Sequence, residues 1–179
     1  IKDDSCEIKV LPAFRPDKAM NVDHPDTFNA YLKQLDVVSG IEINSYQSYL
    51  DALKQRHDFF ATMGCSVSDH GVEYIYAENY SEEEIVTIFT KIRNGSSLSV
   101  QENLKFKSSM LHVFAIWDHE KGWVQQYHLG ALRNNNTRML EQSGPDTGWD
   151  SIGDFPQGRA LSTFLNKLDS TNQLAKTIL

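Results

Sequence analysis

Polar side chains that could act together on a small molecule fall into three short clusters along the chain. Each cluster follows a segment that we interpret as a strand. The clusters are Arg15-Pro-Asp-Lys18, Ser68-Asp-His-Gly71, and Tyr127-His128 with Arg133-Asn-Asn-Asn-Thr-Arg138. In parallel β/α proteins, side chains at the carboxyl ends of the strands meet on one face. The shared placement therefore predicts a single site built from all three clusters.

Arg15 and Arg138 are the candidate anion-binding residues. A guanidinium presents a planar fork that meets a carboxylate with two parallel hydrogen bonds, so an arginine at a strand end suits an acidic small molecule. The alternative for any arginine is a structural salt bridge to a neighbouring acid. Arg15 lies between an apolar strand and a proline turn, a position that favours ligand binding over the salt bridge.

His128 follows an apolar strand and precedes Leu-Gly, which places its imidazole at the mouth of the sheet. Imidazole titrates near neutrality and can transfer a proton, hydrogen-bond to a hydroxyl or bind a metal. A structural histidine is equally compatible with this spacing. Asp69 and His70 are adjacent and point to opposite sides of an extended backbone, so we expect only one of them to face the site.

The run Asn134-Asn-Asn136 adds amide donors and acceptors to the third cluster. Amides suit sugar hydroxyls, and they also hold the turns of their own loop. Spacing does not decide between these two roles. The sequence contains no His-x-His pair, His-x-x-x-His helix or cysteine ligand set, and neither a phosphate-binding glycine loop nor a nucleophile elbow. We therefore predict no metal site made by this chain alone.

Composition excludes several classes of protein. The 179 residues are 40% hydrophobic and 11% aromatic, as in an ordinary globular protein with a substantial core. A net charge of -7 argues against nucleic acid or an anionic membrane as partner. Cys6 and Cys65 lie far apart, which is typical of reduced, cytoplasmic thiols, and no apolar run is long enough to span a bilayer.

Hydrophobic periodicity and capping signals predict the elements that position these clusters. Pro25 suits a first helical position, and Ser81 with Glu84 and Ser99 with Glu102 form capping boxes. We predict strands at 7–11, 65–71, 122–128 and 176–179, and helices at 25–39, 45–63, 81–93, 99–117 and 160–168. Residues 130–154 are predicted to form a long polar loop or a set of turns.

Strands that alternate with helices predict a parallel α/β fold. A complete β/α barrel has eight strands and roughly 250 residues, and this chain has three complete strands and the start of a fourth, so it holds about half of a barrel. It begins at Ile1 without a methionine and ends as a strand starts. We therefore expect an internal piece of a longer protein.

Four segments carry a resemblance to a known family and occur in the same order as in that family. They are Phe14-Arg-Pro-Asp-Lys-Ala-Met20, Gly64-Cys-Ser-Val-Ser-Asp-His-Gly71, His128-Leu-Gly-Ala-Leu-Arg-Asn-Asn-Asn-Thr-Arg138 and Gly144-Pro-Asp-Thr-Gly-Trp-Asp-Ser-Ile152. With these segments the chain resembles the uronate (glucuronate) isomerases of the amidohydrolase superfamily. The resemblance implies aldose-ketose isomerisation, in which D-glucuronate interconverts with D-fructuronate and D-galacturonate with D-tagaturonate.

The same resemblance implies the architecture and the metal. Residues 1–179 would form the central portion of a distorted (β/α)8 TIM-type barrel, incomplete at both ends, with 23–63 as a helical hairpin inserted in the family. The divalent metal, usually zinc, would be held by a His-x-His pair on the first strand and an aspartate on the last. Both elements would lie outside this chain.

For the site, the resemblance implies that Arg15 and His128 reach a uronic acid and that Asp69 and Arg138 contact the substrate or support the residues that do. We predict His128 and Asp69 as catalytic residues, and Arg15, His128, Arg138 and Asn136 as substrate-binding residues. Two other functions stay open. One is a metal-dependent hydrolase of the same superfamily, which would need a carboxylated lysine or a further histidine on the middle strands. The other is a non-catalytic sugar-acid-binding or structural module. We expect the isolated piece to be inactive and able to associate into a homo-oligomer through open sheet edges.

Overall fold

A computed structural model describes residues 7–179 of the chain as alternating helices and strands. The elements are α1 (Asp17–Met20), α2 (Pro25–Ser39), α3 (Tyr46–Thr62), β1 (Val67–Val72), α4 (Glu82–Arg93), α5 (Val100–Lys121), β2 (Val124–Leu129), β3 (Ala131–Leu132), α6 (Thr137–Ser143), β4 (Ser151–Ile152), α7 (Gly158–Asp169) and β5 (Lys176–Ile178). None of the helices in this part of the chain has the length and apolar character needed to cross a membrane.

A small parallel sheet lies at the centre of the fold, with strand order β1-β2-β5. The register pairs Asp69 with Gln126 and Gly71 with His128. Parallel neighbours require a crossover, and α4 and α5 supply it between β1 and β2. The predicted α/β class with a parallel sheet is confirmed, and the second and third residue clusters lie side by side at the ends of β1 and β2.

The helix boundaries follow the capping residues. The hydroxyls of Ser81 and Ser99 accept hydrogen bonds from the backbone N–H three residues later, and the glutamates at those positions return the bond. These caps confirm the predicted starts of α4 and α5. Helix α5 runs to Lys121 rather than to the predicted Trp117, because the next left-handed glycine that can end it is Gly122, with φ 67°.

An aromatic cluster holds α2, α3, α4 and α5 together. The ring of Phe28 lies edge-on to Phe106 at 5.9 Å, and Tyr49 stacks on Phe89 at 5.3 Å. All four side chains are buried. The two helices predicted within residues 23–63 are therefore present and packed against the rest of the fold; that they are an insertion particular to one family stays a prediction.

The strand predicted at 7–11 is wrong. Only an isolated bridge at Val10 remains there, and Ile8 is 72% exposed. Pro12 removes a backbone donor and interrupts pairing, and the side chains of Ile8 and Val10 stay exposed. Contact with the sheet is made instead by Phe14, which is buried and forms a parallel bridge with Ser68.

Residues 130–154 contain more regular structure than the predicted polar loop. Strands β3 and β4 pair in antiparallel register, with Ala131 opposite Ile152, and α6 lies between them. Gly130 and Asn134 take left-handed conformations with φ 80° and 56°, which turn the chain out of β2 and out of β3. The hairpin keeps Arg133 close to the end of β2.

Candidate functional site

The carboxyl ends of β1 and β2 bring an aspartate and a histidine into contact. Asp69 Oδ1 lies 2.7 Å from His128 Nδ1, and the Gln126 amide donates to the same Oδ1 at 3.1 Å. The amide nitrogen of Gln126 also lies 3.3 Å from His128 Nε2. Parallel pairing produces this group, because Gln126 is the register partner of Asp69 and His128 is two residues further along β2.

This network assigns the tautomer of His128. An amide nitrogen only donates, so His128 Nε2 accepts from Gln126 and carries a lone pair, and Nδ1–H donates to Asp69. The imidazole side chain is 57% exposed, whereas the Asp69 side chain is 15% exposed. A carboxylate therefore lies against a largely exposed imidazole, whose Nε2 lone pair is engaged by the Gln126 amide.

Arg15 reaches this pair from the segment before α1. Its position is fixed because Phe14 exchanges two backbone hydrogen bonds with β1, to Val67 at 3.0 Å and from Asp69 at 2.9 Å. The Arg15 Nε lies 3.3 Å from Asp17 Oδ2 and 3.5 Å from Asp69 Oδ2. Both acidic contacts use Nε, so the terminal Nη groups extend towards the cavity.

Arg133 is the second guanidinium of the site. Its Nη1 lies 2.6 Å from Asp150 Oδ2, and the other carboxylate oxygen accepts the backbone N–H of Asn134 at 2.8 Å. These two donors hold the pKa of Asp150 below its usual value. Asp150 thus holds both Arg133 and the turn that follows it at Asn134.

The two guanidiniums converge over Gly71. A Cβ built at this position would lie 2.6 Å from Arg15 Nη2 and closer still to Arg133 Nη2. A side chain at residue 71 would therefore displace both arginines. Because Gly71 has no side chain, the N–H donors of both arginines face the same space above it.

Two adjoining cavities border these two arginines. One, of about 720 Å³, is lined by Arg15, Arg133, Asp150 and the α1 region, and the other, of about 550 Å³, by Arg15, Arg133, Asp150, His128 and the end of β2. Each has room for a small sugar derivative. The arginines stand on the border between the two cavities.

The structure brings together Arg15, Asp69 and His128 from the residues that the sequence predicted. It also shows that Asp69 faces the site while His70 is fully buried, as expected for adjacent residues of a strand. Asn136 and Arg138 are not brought into this group. Asn136 caps α6 by accepting the N–H of Met139 at 3.2 Å, and Arg138 lies exposed on that helix. The chain turns at Asn134 and carries them away.

Five contributors were missed from sequence: Asp17, Gly71, Gln126, Arg133 and Asp150. Two of them carried a usable signal. Arg133 is closer to the end of the predicted strand than Arg138, and Asp17 lies inside the first polar cluster. Gly71, Gln126 and Asp150 depend on register and on a contact across the hairpin, which local sequence does not show.

The described residues contain no group of three His, Cys, Asp or Glu side chains placed to hold a metal ion. The Asp69–His128 pair supplies two such side chains, which is fewer than a structural or catalytic zinc site uses. Residues 7–179 by themselves therefore do not fit the metal that the family resemblance implies.

Comparison with known proteins gives one consistent result. A family model described as glucuronate isomerase matches residues 1–179. Uronate isomerases from Phocaeicola vulgatus and Bacteroides fragilis are 52% and 53% identical to the chain over 178 residues, which is 99% of the chain. The chain spans about 38% of the length of these curated relatives.

Solved structures agree with the sequence matches. The uronate isomerase of Thermotoga maritima superposes with a TM-score of 0.82 at 30% identity, over 94% of this chain and 37% of that one. The glucuronate isomerase of Caulobacter crescentus superposes with a TM-score of 0.77 at 28% identity, over 89% of this chain and 33% of that one. The arrangement of helices around the three-stranded sheet is thus one also found in these isomerases.

Proposed function

The chain belongs to the glucuronate isomerase family, and from that premise we propose that it forms the sugar-acid-binding part of a uronate isomerase active site. The observation that carries the proposal is the convergence of Arg15 and Arg133 over Gly71. Two guanidiniums that share one open space suit a carboxylate, which accepts paired hydrogen bonds from each fork. A uronic acid offers that carboxylate at one end of a chain of hydroxyls.

His128 and Asp69 supply the groups that handle protons at those hydroxyls. A substrate hydroxyl that replaces the Gln126 amide at His128 Nε2 can pass its proton to that nitrogen and take it back, while Asp69 keeps the ring oriented through Nδ1. We place these two residues beside the reacting end of the sugar, because they lie next to Arg15 on the same edge of the sheet.

The conversion of an aldose into a ketose neither adds nor removes atoms. A proton leaves C2 and a proton arrives at C1, while a hydroxyl proton moves from O2 to O1, which an enediol intermediate accommodates. The chain contributes to this exchange by fixing the substrate carboxylate and by holding a proton at one hydroxyl. We assign the hydroxyl proton to His128 and leave the base at C2 unassigned.

The complete protein is proposed to be a distorted (β/α)8 barrel of the amidohydrolase type, of which these residues are the central portion. A divalent metal, zinc by the resemblance, would be held by residues outside this chain and would polarise the substrate oxygens. Substrate contacts by Asn136 and Arg138, a homo-oligomeric state and a cytoplasmic location remain predictions.

Replacement of Arg15 by methionine in the complete enzyme tests the proposal. Loss of a charge-assisted hydrogen bond removes about 1.5–3 kcal/mol, so kcat/KM for D-glucuronate should fall by about 10- to 100-fold, with most of the change in KM. If R15M keeps both kcat and KM within twofold of the unmodified enzyme, Arg15 does not bind the substrate carboxylate.

A further inference from the structure

Asp17 lies beside Arg15 on the wall of the larger cavity, and the geometry points to a role that no motif assigns. We propose that Asp17 is a positioning residue, which directs the Arg15 guanidinium into the cavity and keeps Asp69 available to His128. The proposal rests on the proposed function for the identity of the ligand, a carboxylate. The contacts of Asp17 itself do not depend on that identity.

One carboxylate oxygen of Asp17 joins two parts of the site. Asp17 Oδ2 accepts the backbone N–H of Gly71 at 2.9 Å and the Nε–H of Arg15 at 3.3 Å. Gly71 lies on β1, whereas Arg15 precedes α1, so this single oxygen ties the arginine to the strand end over which it extends. The end of β1 at Gly71 and the Arg15 side chain that extends over it are thereby held in a fixed arrangement.

The other oxygen faces a buried histidine. Asp17 Oδ1 lies 3.4 Å from His70 Nδ1, and the imidazole is completely buried. Its ring stacks on Tyr127 at 5.1 Å and on Phe114 at 6.3 Å. Neither atom makes a hydrogen bond within the described residues, so the contact is a close approach of the carboxylate to an imidazole whose rotation the two rings restrict.

The electrostatics of Asp17 agree with an anchored carboxylate. Burial alone would raise its pKa, but His70, the Gly71 N–H and Arg15 outweigh burial and lower the pKa below its usual value. Asp17 is therefore charged at neutral pH, as a partner of Arg15 must be.

Asp69 shows why this second carboxylate matters. Arg15 Nε lies between Asp17 at 3.3 Å and Asp69 at 3.5 Å, and Asp69 also holds His128. Without Asp17, the Asp69 carboxylate, whose Oδ1 holds His128, would be the remaining acidic partner of Arg15 Nε through its Oδ2. Asp17 thus shares the support of the anion-binding arginine, so that Arg15 does not depend only on the carboxylate that orients the imidazole.

The first experiment compares D17N with D51N in the complete enzyme. Asp51 is an exposed carboxylate on α3 whose side chain contacts Gln47, so D51N matches the chemical change away from the site. We expect D17N to raise KM for D-glucuronate at least 10-fold with a smaller change in kcat, and D51N to leave both within twofold. An unchanged KM in folded D17N overturns the proposal.

The second experiment follows the Arg15 Nε–H directly by ¹H–¹⁵N NMR of the 179-residue chain, with the resonance identified by its loss in R15K. We expect its exchange with water to be at least 10-fold slower than that of the exposed Arg138, and to accelerate in D17N but not in D51N. Equal exchange for Arg15 and Arg138 in the unmodified chain overturns the proposal even if D17N fails to fold.

These readouts separate the two claims. If the complete enzyme converts no uronate, the proposed function fails, while the exchange of the Arg15 Nε–H still decides the role of Asp17. If turnover is present but Arg15 exchanges as fast in the unmodified chain as in D17N, the positioning role fails and the proposed function stands.

Discussion

At the scale of single residues, the site depends on the lack of a side chain at Gly71. Gly71 has an ordinary backbone conformation, so its value lies in the space above its Cα rather than in conformational freedom. The atoms that would meet a new Cβ are the ends of two flexible arginines. These can move aside without unfolding the protein, and the cost therefore falls on binding.

Substitution of Gly71 by alanine should reduce substrate affinity more than stability. We expect KM for D-glucuronate in the complete enzyme to rise about 10-fold or more, because Arg15 and Arg133 are pushed apart, while the melting temperature changes by only a few degrees. The control is G158A at the start of α7, where nothing lies within 4 Å of a new Cβ. If G71A binds substrate as tightly as G158A, the two arginines do not share one ligand.

Arg133 and Arg138 offer a matched pair from one loop. Arg133 is held by Asp150 and faces the cavities, whereas Arg138 is exposed on α6. We expect R133M to lower kcat/KM of the complete enzyme by about 10- to 100-fold, through loss of a charge-assisted contact, and R138M to stay within twofold. The opposite ranking would return the substrate role to Arg138, as the family resemblance implied.

The sequence identified the types of residue at the site better than the individual positions. Arg15, Asp69 and His128 were predicted because each directly follows a strand or adjoins a proline turn. Arg133 was passed over in favour of Arg138, since only the left-handed turn at Asn134 reveals which of the two arginines stays near β2. Partners such as Asp150 come from a hairpin that is distant in sequence, and no local pattern encodes that contact.

At the scale of elements, capping chemistry made the helices predictable. Ser81, Ser99 and Gly40 mark two starts and one end that the structure reproduces, because orphan N–H and C=O groups at helix ends must be satisfied locally. The strand predicted at 7–11 failed for the opposite reason. A strand exists only through its neighbours, and alternating apolar residues do not show whether a neighbour is present.

A buried polar network connects the helices to the sheet beneath the site. Asp118 of α5 contacts His57 of α3 at 3.1 Å and accepts the hydroxyl of Ser68 in β1 at 2.5 Å. His57, Asp118 and Ser68 are fully buried. Because Ser68 precedes Asp69, the network helps to fix β1 at the position where the strand presents its catalytic candidate.

Removal of His57 should therefore destabilise the chain strongly. We expect H57A to lower the free energy of unfolding by about 3–5 kcal/mol, since it leaves the Asp118 carboxylate buried without its main partner and opens a cavity. Urea denaturation of the 179-residue chain measures this change. Glu120 lies on the same helix as Asp118 and is an exposed partner of Lys54. E120A should therefore cost under about 1 kcal/mol. A similar loss in both variants would show that the buried network adds no stability.

At the scale of the whole molecule, the sequence pattern predicted a parallel α/β fold and about half of a β/α barrel, and the family resemblance implied that the barrel is of the distorted amidohydrolase type. Three parallel strands with helical crossovers occur in many α/β proteins. The chain superposes on 37% and 33% of two solved isomerase structures. This superposition identifies the arrangement of strands and helices. Physical reasoning on these residues alone reaches the sheet and the site at its edge.

The pH dependence of stability offers a test of the whole molecule, because two titratable groups have lowered pKa values that affect stability in different pH ranges. Burial, with a smaller effect from Lys167 of α7, lowers the pKa of His112 in α5 to about 4, from 6.5 in an unfolded chain. Between those values the unfolded chain binds the extra proton, so stability falls as the pH drops from about 6.5 to about 4. Contacts with Lys91 and Ser99 lower the pKa of Glu102 to about 2, from 4.5, so its contribution is lost only as the pH falls from about 4.5 to about 2.

Urea unfolding of the chain at intervals from pH 7.5 to 2.5 should separate these two windows. H112Q should flatten the decline between pH 6.5 and 4 by about 1–2 kcal/mol, a value reduced for partial exposure of the ring. E102Q should leave the decline above about pH 5 unchanged and reduce the loss below pH 4.5, because Glu102 is ionised in the folded and the unfolded chain at the higher pH. If H112Q and the unmodified chain lose stability in parallel from pH 6.5 to 4, the imidazole is not held neutral between α5 and α7. The packing of α7 against the rest of the fold would then differ from the one described.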